Sequence, residues 1–427
     1  MKSLKFYLLA IVAMGVLFNT GCQEDDPSPL NVLTINAAGT DLQSGTQTVI
    51  DLNGSSAATD VPLDATITIT FDTDIDVATA TSSNVSISSA SGSVAATVTG
   101  SGKGITITPN AELARGTDYT LTLTSGLASS DGGGFTSTTR SFKSAGRSDV
   151  APPKEADQLA YWNFNGNSNS SNNNYNGTDI AVTYGADRFG NQESAAFFDG
   201  DASIIEVANG DQFLKGGSFT LSYWVRVDSV DHVGGHFVMG IGDVYGFFIE
   251  VQGGLGGMKI TQRYESADAT LANDFFVNAD GQDANNGGWI GVEFEKDLTP
   301  TNGLGSLLDQ KWAHMVWVYD AGTNKRHVYI NGQLIETDNL NSPPSPALNN
   351  ITGVTFDDSD AGTDVIGKGL AFGFNHDIAT THWDNEPWGG YDFPDANHFK
   401  GGLDDVRIFS NAYSATDVDQ LYNAEKP

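Results

Sequence analysis

The stretch that most constrains the fold is residues 311–338, which read KWAHMVWVYDAGTNKRHVYINGQLIETD. Its apolar runs at 312–319 and 327–330 are rich in aromatic and β-branched residues, which favour strands. Asn331 and Gly332 follow, and both residue types tolerate the positive φ of a two-residue hairpin turn. The stretch therefore predicts an antiparallel meander. A lone meander cannot bury its own apolar side, so we expect the rest of the chain to supply an opposing sheet.

Composition supports a chain made of strands and turns. The 427 residues include 49 Gly, which favours many turns. No long stretch carries a helical apolar period with caps, apart from a short C-terminal one in which Ser414 and Asp417 form an approximate capping box. We predict an all-β protein, long enough for two domains.

The charge balance limits the possible partners. The chain has 53 acidic and 21 basic side chains, a formal net charge of −32. Such a surface repels phosphate backbones, so we expect no nucleic-acid binding. The excess of carboxylates is either an adaptation for solubility and salt tolerance or, in part, a source of Ca²⁺ ligands.

The N-terminus has the pattern of a signal peptide. Lys2 and Lys5 precede an apolar run at 6–18, which is too short for a stable membrane span. Cys22 is the only cysteine and follows Gly21. Residues 1–21 resemble a bacterial lipoprotein signal peptide, which implies that Cys22 carries the lipid and is the only membrane attachment. An ordinary secretory signal is the alternative.

Residues 23–26 (QEDD) form an acidic cluster directly after this cysteine. The cluster resembles the surface-export signal of lipoproteins from glycan-foraging Gram-negative bacteria. That resemblance implies an outer-membrane lipoprotein exposed at the cell surface. The alternative is a solvated tether that leaves the protein on the periplasmic side.

Residues 55–146 contain short alternating strands at even spacing, which predicts a β-sandwich. The segments VPLDATITITFDTDID, ITITPNAELARGTDYTLTL and TTRSFKS resemble, in this order, the bacterial Ig-like domain first described in S-layer proteins. Such domains are mostly spacers, so the resemblance implies no activity here. We assign residues 22–54 to a tether with the first strand or strands, and residues 147–157, stiffened by Pro152 and Pro153, to a linker.

Residues 158–427 form the second predicted domain. The segments AYWNFNGN, NNNYNGT, FFDGDASIIEV, FTLSYWVRVDS, residues 311–338 and GGLDDVRIFSNAYSATDVDQLYN resemble LamG-like jelly rolls in content and order. These belong to the concanavalin A-like lectin/glucanase superfamily. The resemblance implies two antiparallel sheets packed face to face, interrupted here by two long insertions.

Because the superfamily includes glycan-cleaving enzymes, we looked for their residues. The E-x-D-x-x-E motif of one retaining glucanase group is absent: Glu295 and Asp297 come closest, and Pro300 occupies the place of the second acid. A polysaccharide lyase needs a Tyr or His base with an Arg or Gln, and the seven His are scattered along the chain. We therefore predict a non-catalytic protein. The alternatives are a diverged glycoside hydrolase or polysaccharide lyase, and a protein–protein adhesion module.

The two insertions carry the predicted ligand site. Aromatic faces that stack on sugars, beside Asp and Asn side chains that bind hydroxyls, are typical of small-ligand sites on loops. The alternative is that the aromatics form the core of their own loop. We predict a surface protein that captures or adheres to poly- or oligosaccharides, acting with other glycan-uptake proteins in polysaccharide utilisation. The predicted glycan-binding residues are Trp383, Trp388, Tyr391, Asp384, Asn385 and Trp289.

The jelly-roll resemblance also implies a structural Ca²⁺ ion. In related domains an Asp at the head of the last strand binds this ion, and Asp405 occupies that place, with Asp404 adjacent. Asp199 and Asp201 lie near a turn that could contribute, and hard oxygen ligands suit Ca²⁺. The alternative is a solvated pair of acids.

Overall fold

The computed structural model divides into two compact units, Met1–Ser148 and Asp149–Pro427, and each is described by itself. The predicted signal peptide and Cys22 lie outside the described residues, so lipidation stays a prediction. Within the described part of the chain, no helix is both long enough and apolar enough to cross a membrane. The structure describes residues 27–42, 44–54, 56–266, 270–278, 291–294, 303–341, 351–394 and 396–427.

The first unit is a β-sandwich of two five-stranded sheets, ordered β2-β1-β4-β8-β7 and β3-β10-β9-β5-β6. Its strands are β1 (Val32–Thr40), β2 (Gln47–Asp51), β3 (Ala58–Val61), β4 (Thr66–Phe71), β5 (Val85–Ser89), β6 (Gly92–Val94), β7 (Ala96–Ser101), β8 (Gly104–Pro109), β9 (Asp118–Leu123) and β10 (Thr138–Ser144).

Two features of the first unit follow from local sequence. Alternation in β4 buries Ile67, Ile69 and Phe71 completely, while the threonines between them face outward. Strand β1 pairs antiparallel with β4, and β2 pairs with β1. Both strands therefore belong to the sandwich, and both lie in the segment 22–54 that is assigned to a tether with the first strand or strands.

The second unit is also a sandwich. One sheet runs β13-β14-β27-β16-β22-β23-β24-β21, with β11 also pairing to β27, and we call it the β16 sheet. The other runs β12-β15-β26-β17-β18-β19-β20, with β25 also pairing to β19, and we call it the β17 sheet. The elements are β11 (Gln158–Trp162), β12 (Gly177–Ile180), β13 (Thr183–Gly185), β14 (Ala195–Asp199), β15 (Ile204–Val207), β16 (Phe219–Val227), β17 (His236–Ile241), β18 (Phe247–Val251), β19 (Gly257–Ser266), β20 (Thr270–Asn278), β21 (Gly291–Phe294), α1 (Gly305–Leu308), β22 (Ala313–Asp320), β23 (Lys325–Ile330), β24 (Gln333–Asn339), β25 (Ile351–Val354), β26 (Leu370–Phe372), β27 (Lys400–Phe409) and α2 (Ala415–Glu425).

The predicted meander is formed by β22, β23 and β24, and Ile330 pairs with Gln333 across the turn. Asn331 and Gly332 have φ of 50° and 77°, the left-handed values that a two-residue hairpin requires. A Cβ on Gly332 would lie 2.8 Å from Cδ1 of Tyr422, so the site also needs the small residue. The sequence signal for the hairpin therefore has both a conformational and a steric basis.

Each sheet of the second unit is covered on its outer face. The cap Ser414 and its partner Asp417 start α2 with a capping box, and Val418 packs on Val316 and other apolar residues of the β16 sheet. Residues 373–394 and 396–399 cover the outer face of the β17 sheet, and their apolar contacts form a cluster separate from the core between the sheets.

Candidate functional site

The second insertion is anchored on the β17 sheet by a small core of its own. Phe237 and Phe248 project from the sheet, and Phe374 of the insertion packs edge-on against Phe237 with a centroid distance of 5.4 Å. Phe374 and Ala396 are fully or almost fully buried there. The insertion is therefore a packed layer, and part of its aromatic content serves that packing, as the alternative interpretation expected.

Trp383 and Tyr391, two of the predicted glycan-binding residues, belong partly to this core. The half-buried Trp383 ring packs at 86° against Phe248, 6.0 Å away. Tyr391 packs edge-on against Phe374, and its hydroxyl donates to the carbonyl oxygen of Ala202 at 2.8 Å. Both rings thus tie the insertion to the sheet, which limits the area they can offer to a sugar.

Trp388 is the predicted aromatic that faces solvent. Its relative exposure is 38 %, and its ring centroid lies 4.6 Å from that of Trp383. Its carbonyl accepts the backbone N–H of Asn397 at 2.9 Å, which fixes the backbone beneath the ring. Asp384 and Asn385, also predicted to bind glycan, are exposed in the same turn. The fixed ring and exposed polar side chains give this face the features expected of a sugar-binding surface.

The rings of Trp388, Trp383, His382 and Tyr245 contact one another in succession, and we call this set the aromatic row. Successive centroid distances are 4.6, 4.7 and 5.3 Å. The exposed Trp388 stands at one end, and the largely buried Tyr245 stands at the other. A ligand that extends from Trp388 along the row would therefore pass Trp383 before it reaches His382.

His382 is held by a buried carboxyl group that sequence reasoning missed. Its Nδ1 lies 2.7 Å from Oδ2 of Asp243. Asp243 is fully buried, and its other carboxylate oxygen, Oδ1, has no hydrogen-bond partner. Burial raises the pKa of Asp243 to about 6, although His382 opposes that shift. The hydrogen bond to Asp243 in turn raises the pKa of His382. The pair therefore keeps a proton to higher pH than separate side chains would.

The backbone at this pair is strained. Asp243 has φ of 58° and Trp383 has φ of 66°, and non-glycine residues adopt this region at a cost of about 1–3 kcal/mol. Gly242, with φ of 56°, precedes Asp243 and makes the turn possible. Strained backbone around a buried ionisable group is a combination that clusters at functional sites.

Tyr245 and Arg263 complete this end of the row. The Arg263 guanidinium lies 5.4 Å from the Tyr245 ring centroid, and its Nη2 lies 2.7 Å from Asp360 Oδ1 and 3.7 Å from Asp357 Oδ2. A His, a Tyr and an Arg thus lie in successive contact, and they include the Tyr or His with an Arg that a lyase needs. No sequence signal links Asp243 to His382, because 139 residues separate them.

The structure assigns Asp404 and Asp405 a different role from the predicted Ca²⁺ ligation. Both side chains are fully buried and form ion pairs with Arg188, whose Nη1 contacts Asp404 and whose Nη2 lies 2.5 Å from Asp405 Oδ2. A bulge explains why two consecutive acids share one face: Tyr223 of β16 opposes both Asp405 and Val406. The cation that contacts these carboxylates in the structure is therefore a guanidinium, and Ca²⁺ ligation by this pair stays a prediction.

The other two predicted ligands lie elsewhere. Oδ1 of Asp199 accepts the backbone N–H groups of Asp201, Ala202 and Ser203 at 2.9–3.0 Å, so it closes a turn. Asp199 pairs with Lys400, which precedes Asp404 by four residues on β27, or roughly 13 Å along an extended strand. The four predicted acids thus occupy two places. Among the described residues, no group of three or more His, Cys, Asp or Glu is arranged to hold a metal ion.

Several predicted residues of the first insertion are not among the described residues. Trp289, the remaining predicted glycan-binding residue, and the near-motif Glu295, Asp297 and Pro300 lie outside the described residues. A separate groove of about 470 Å³ lies beside the second insertion. Glu206, which lines this groove, accepts the backbone N–H of Ile378 at 2.7 Å, so its carboxylate already binds the second insertion.

Comparison with protein families identifies both units. Residues 44–144 match the bacterial Ig-like domain family, and residues 198–364 match the concanavalin A-like lectin/glucanases superfamily. The chain carries a bacterial Ig-like domain followed by a concanavalin A-like domain. These assignments confirm the all-β fold class and the predicted order of the two domains.

Solved structures are similar to this chain at low sequence identity. The binding domain of botulinum neurotoxin DC, solved with rat synaptotagmin II, is 14% identical with a TM-score of 0.37, covering 63% of this chain and 51% of its own. Domain 4 of the arabinanase AbnA from Geobacillus stearothermophilus, solved with arabinotriose, is 17% identical with a TM-score of 0.37, covering 62% of this chain and 98% of its own. This chain thus spans about half the length of the neurotoxin structure. No curated protein matches the chain significantly.

Proposed function

We propose that the concanavalin A-like domain binds a poly- or oligosaccharide without cleaving it, with the Trp388 ring as the platform. The observation that carries the proposal is the exposed Trp388 ring, backed by Trp383 at 4.6 Å and seated on a layer with its own buried core. A ring held in this way loses little conformational freedom when a ligand stacks on it, which favours affinity.

Polar groups beside the ring support the same interpretation. Asp384 and Asn385 are exposed in the turn that carries Trp388, and their oxygen and amide groups can bind sugar hydroxyls. Trp383 adds a partly exposed second ring, whereas Tyr391 contributes mainly by holding the insertion through Ala202. We therefore assign Trp388 the principal contact and the other predicted residues supporting ones.

We further propose that the protein acts at the cell surface. Cys22 would carry a lipid in the outer membrane, and the Ig-like domain would serve as a spacer for the binding domain. The sugar chain would be captured for adhesion, or for uptake by other surface proteins. A structural Ca²⁺ ion remains part of this proposal only near Asp199 and Asp201, because Asp404 and Asp405 both form ion pairs with Arg188.

The test uses residues 22–427 with Cys22→Ser, which prevents lipidation. Retention on a panel of immobilised polysaccharides is measured with Ca²⁺ and with a chelator. We expect retention on at least one glycan and a loss of about 30-fold in affinity for Trp388→Ala, the effect of removing a contact worth about 2 kcal/mol. Phe189→Ala is the matched control, because Phe189 is equally exposed (37 %) and lies outside the row. Failure of every glycan to retain the protein would shift the assignment to a protein partner.

A second candidate is a glycan-active enzyme, favoured by the contact between Asp243 and His382. A buried acid that orients a histidine, with a tyrosine and an arginine close by, can perform general acid–base chemistry. The same panel is assayed for new reducing ends and for unsaturated products. If the wild type forms such products and His382→Gln does not, the enzyme proposal replaces the non-catalytic one.

A further inference from the structure

We infer that the aromatic row binds an uncharged glycan chain, which extends from Trp388 toward His382, and that acidic side chains along the row exclude uronic acids and sulphated sugars. This inference rests on the proposed function and adds the class of ligand. It comes from the local charges around the row, because the net charge of the whole chain does not determine what one surface binds.

The acids along the row outnumber the available cations. Asp384 and Glu386 are exposed in the Trp388 turn, and the exposed Asp364 interacts electrostatically with both His382 and Tyr245. A carboxylate or sulphate group on a sugar at this surface would meet several negative charges at short range. The repulsion between such groups rises steeply as water is excluded by stacking.

Two cationic side chains beside the row, Arg263 and Lys259, are already paired with carboxylates. The Arg263 side chain is only 4% exposed and contacts Asp360 and Asp357. The Lys259 ammonium lies 3.2 Å from Glu250 Oε2 and sits over the Phe248 ring at 4.8 Å. Recognition of an anionic sugar generally uses an arginine or lysine able to contact the charge. These two side chains are committed to carboxylates of the protein.

His382 gives the row a polar end that suits hydroxyl groups. Asp243 Oδ2 accepts the Nδ1 proton, so Nε2 is the ring nitrogen left for a ligand, and the side chain is 19% exposed. Nε2 accepts a hydroxyl proton when the ring is neutral and donates to a hydroxyl oxygen when the ring is protonated, so a sugar hydroxyl suits either state. The aromatic rings and this polar atom match the apolar faces and hydroxyl groups of a neutral sugar chain.

The test compares neutral and anionic forms of the same polymers. Soluble xylan, mannan, arabinan and β-glucan are used with polygalacturonate, alginate and a sulphated galactan, in affinity electrophoresis of the Cys22→Ser chain at neutral pH. Any neutral polymer that retards the protein is then oxidised at its primary alcohols, or carboxymethylated, to add carboxylates. We expect the charged form to bind roughly tenfold more weakly at low salt, with the difference shrinking at high salt.

A double variant, Asp364→Asn with Glu386→Gln, should recover most of that loss and keep the binding of the neutral form. The matched control changes the same net charge at exposed acids of the first unit, with Asp51→Asn and Asp118→Asn, and should recover none. Trp388-dependent binding of polygalacturonate, alginate or the sulphated galactan by the unmodified chain would overturn the inference and leave the proposed function standing. Absence of binding to every polymer would instead count against the proposed function.

Discussion

Arg188 and Asp405 form an ion pair from which solvent is excluded, with 2.5 Å between Nη2 and Oδ2 and no exposure of either side chain. Tyr161 also donates its hydroxyl to Asp405 Oδ1 at 2.6 Å, and the Nε of Arg188 donates to the carbonyl of Glu425 at 2.8 Å. The pair is therefore part of a satisfied network between the β16 sheet and α2. Such a network specifies how the last helix docks.

Removal of one partner should destabilise the protein strongly. Arg188→Met leaves two carboxylates buried without their cation, and we expect a loss of about 3–5 kcal/mol in the free energy of unfolding of the second unit. Chemical denaturation followed by tryptophan fluorescence measures this loss. Lys154→Met is the control, since its ion pair with Asp417 is partly exposed (38 % and 16 %) and should contribute under about 1 kcal/mol. A similar small loss for both variants would contradict the role given to Arg188.

His314 should make the fold sensitive to acid. It is fully buried, its Nε2 lies 2.8 Å from Ser222 Oγ, and burial lowers its pKa to about 3. Because the unfolded chain binds this proton near pH 6.5 and the folded chain does not, its contribution to stability is present above pH 6.5 and is lost as pH falls toward 3. We expect the stability of the wild type relative to His314→Gln to fall by at most roughly 1.4 kcal/mol per pH unit in that window, measured by denaturation at pH 7, 6 and 5. A constant difference over this range would argue against a buried neutral imidazole.

Asp243 should affect stability in the opposite direction to His314, because its contribution is lost as pH rises. Its pKa is raised to about 6, so the folded chain holds a proton that the unfolded chain releases near pH 4. The raised pKa of His382 acts in the same direction at higher pH. The melting temperature of the wild type minus that of Asp243→Asn should therefore fall as pH rises from 4 through 6 and on through the His382 titration. Thermal scans at pH 4.5, 6 and 8 measure it, and an increase with pH would show that the pair is not organised as described.

Substitution of the two tryptophans of the insertion should distinguish a packing residue from a binding residue. Trp383 packs against the core residue Phe248, so Trp383→Ala should cost roughly 3 kcal/mol of stability. Trp388 is more exposed, and Trp388→Ala should cost about 1 kcal/mol or less while removing glycan retention. Paired measurements of melting temperature and retention check this difference. Equal destabilisation by the two variants would mean that Trp388 is a packing residue.

Local signals in the sequence predicted the elements that are determined locally. Asn331 and Gly332 set the hairpin, and Ser414 with Asp417 set the start of α2, because turn and cap geometry depends on a few neighbouring residues. Alternation predicted which side of β4 is buried. These features needed no knowledge of distant contacts.

The contacts that form the candidate site could not be predicted without the fold, because they join residues far apart in the sequence. Asp243 meets His382 across 139 residues, and Arg188 meets Asp405 across 217. The bulge opposite Tyr223 also breaks the alternation that sequence reasoning assumes, so Asp404 and Asp405 share one face. Sequence did identify Trp388 as a candidate, but not that it is the exposed member of a packed row.

The layer formed by residues 373–394 and 396–399 has a small core separate from the one between the two sheets. Substitutions on its outer surface can therefore change what the domain recognises while the sandwich beneath remains intact. Specificity could then diverge rapidly among descendants of one stable scaffold, because mutations in the layer carry little risk of unfolding the rest. The same independence would make this layer a practical starting point for directed evolution of new sugar binders.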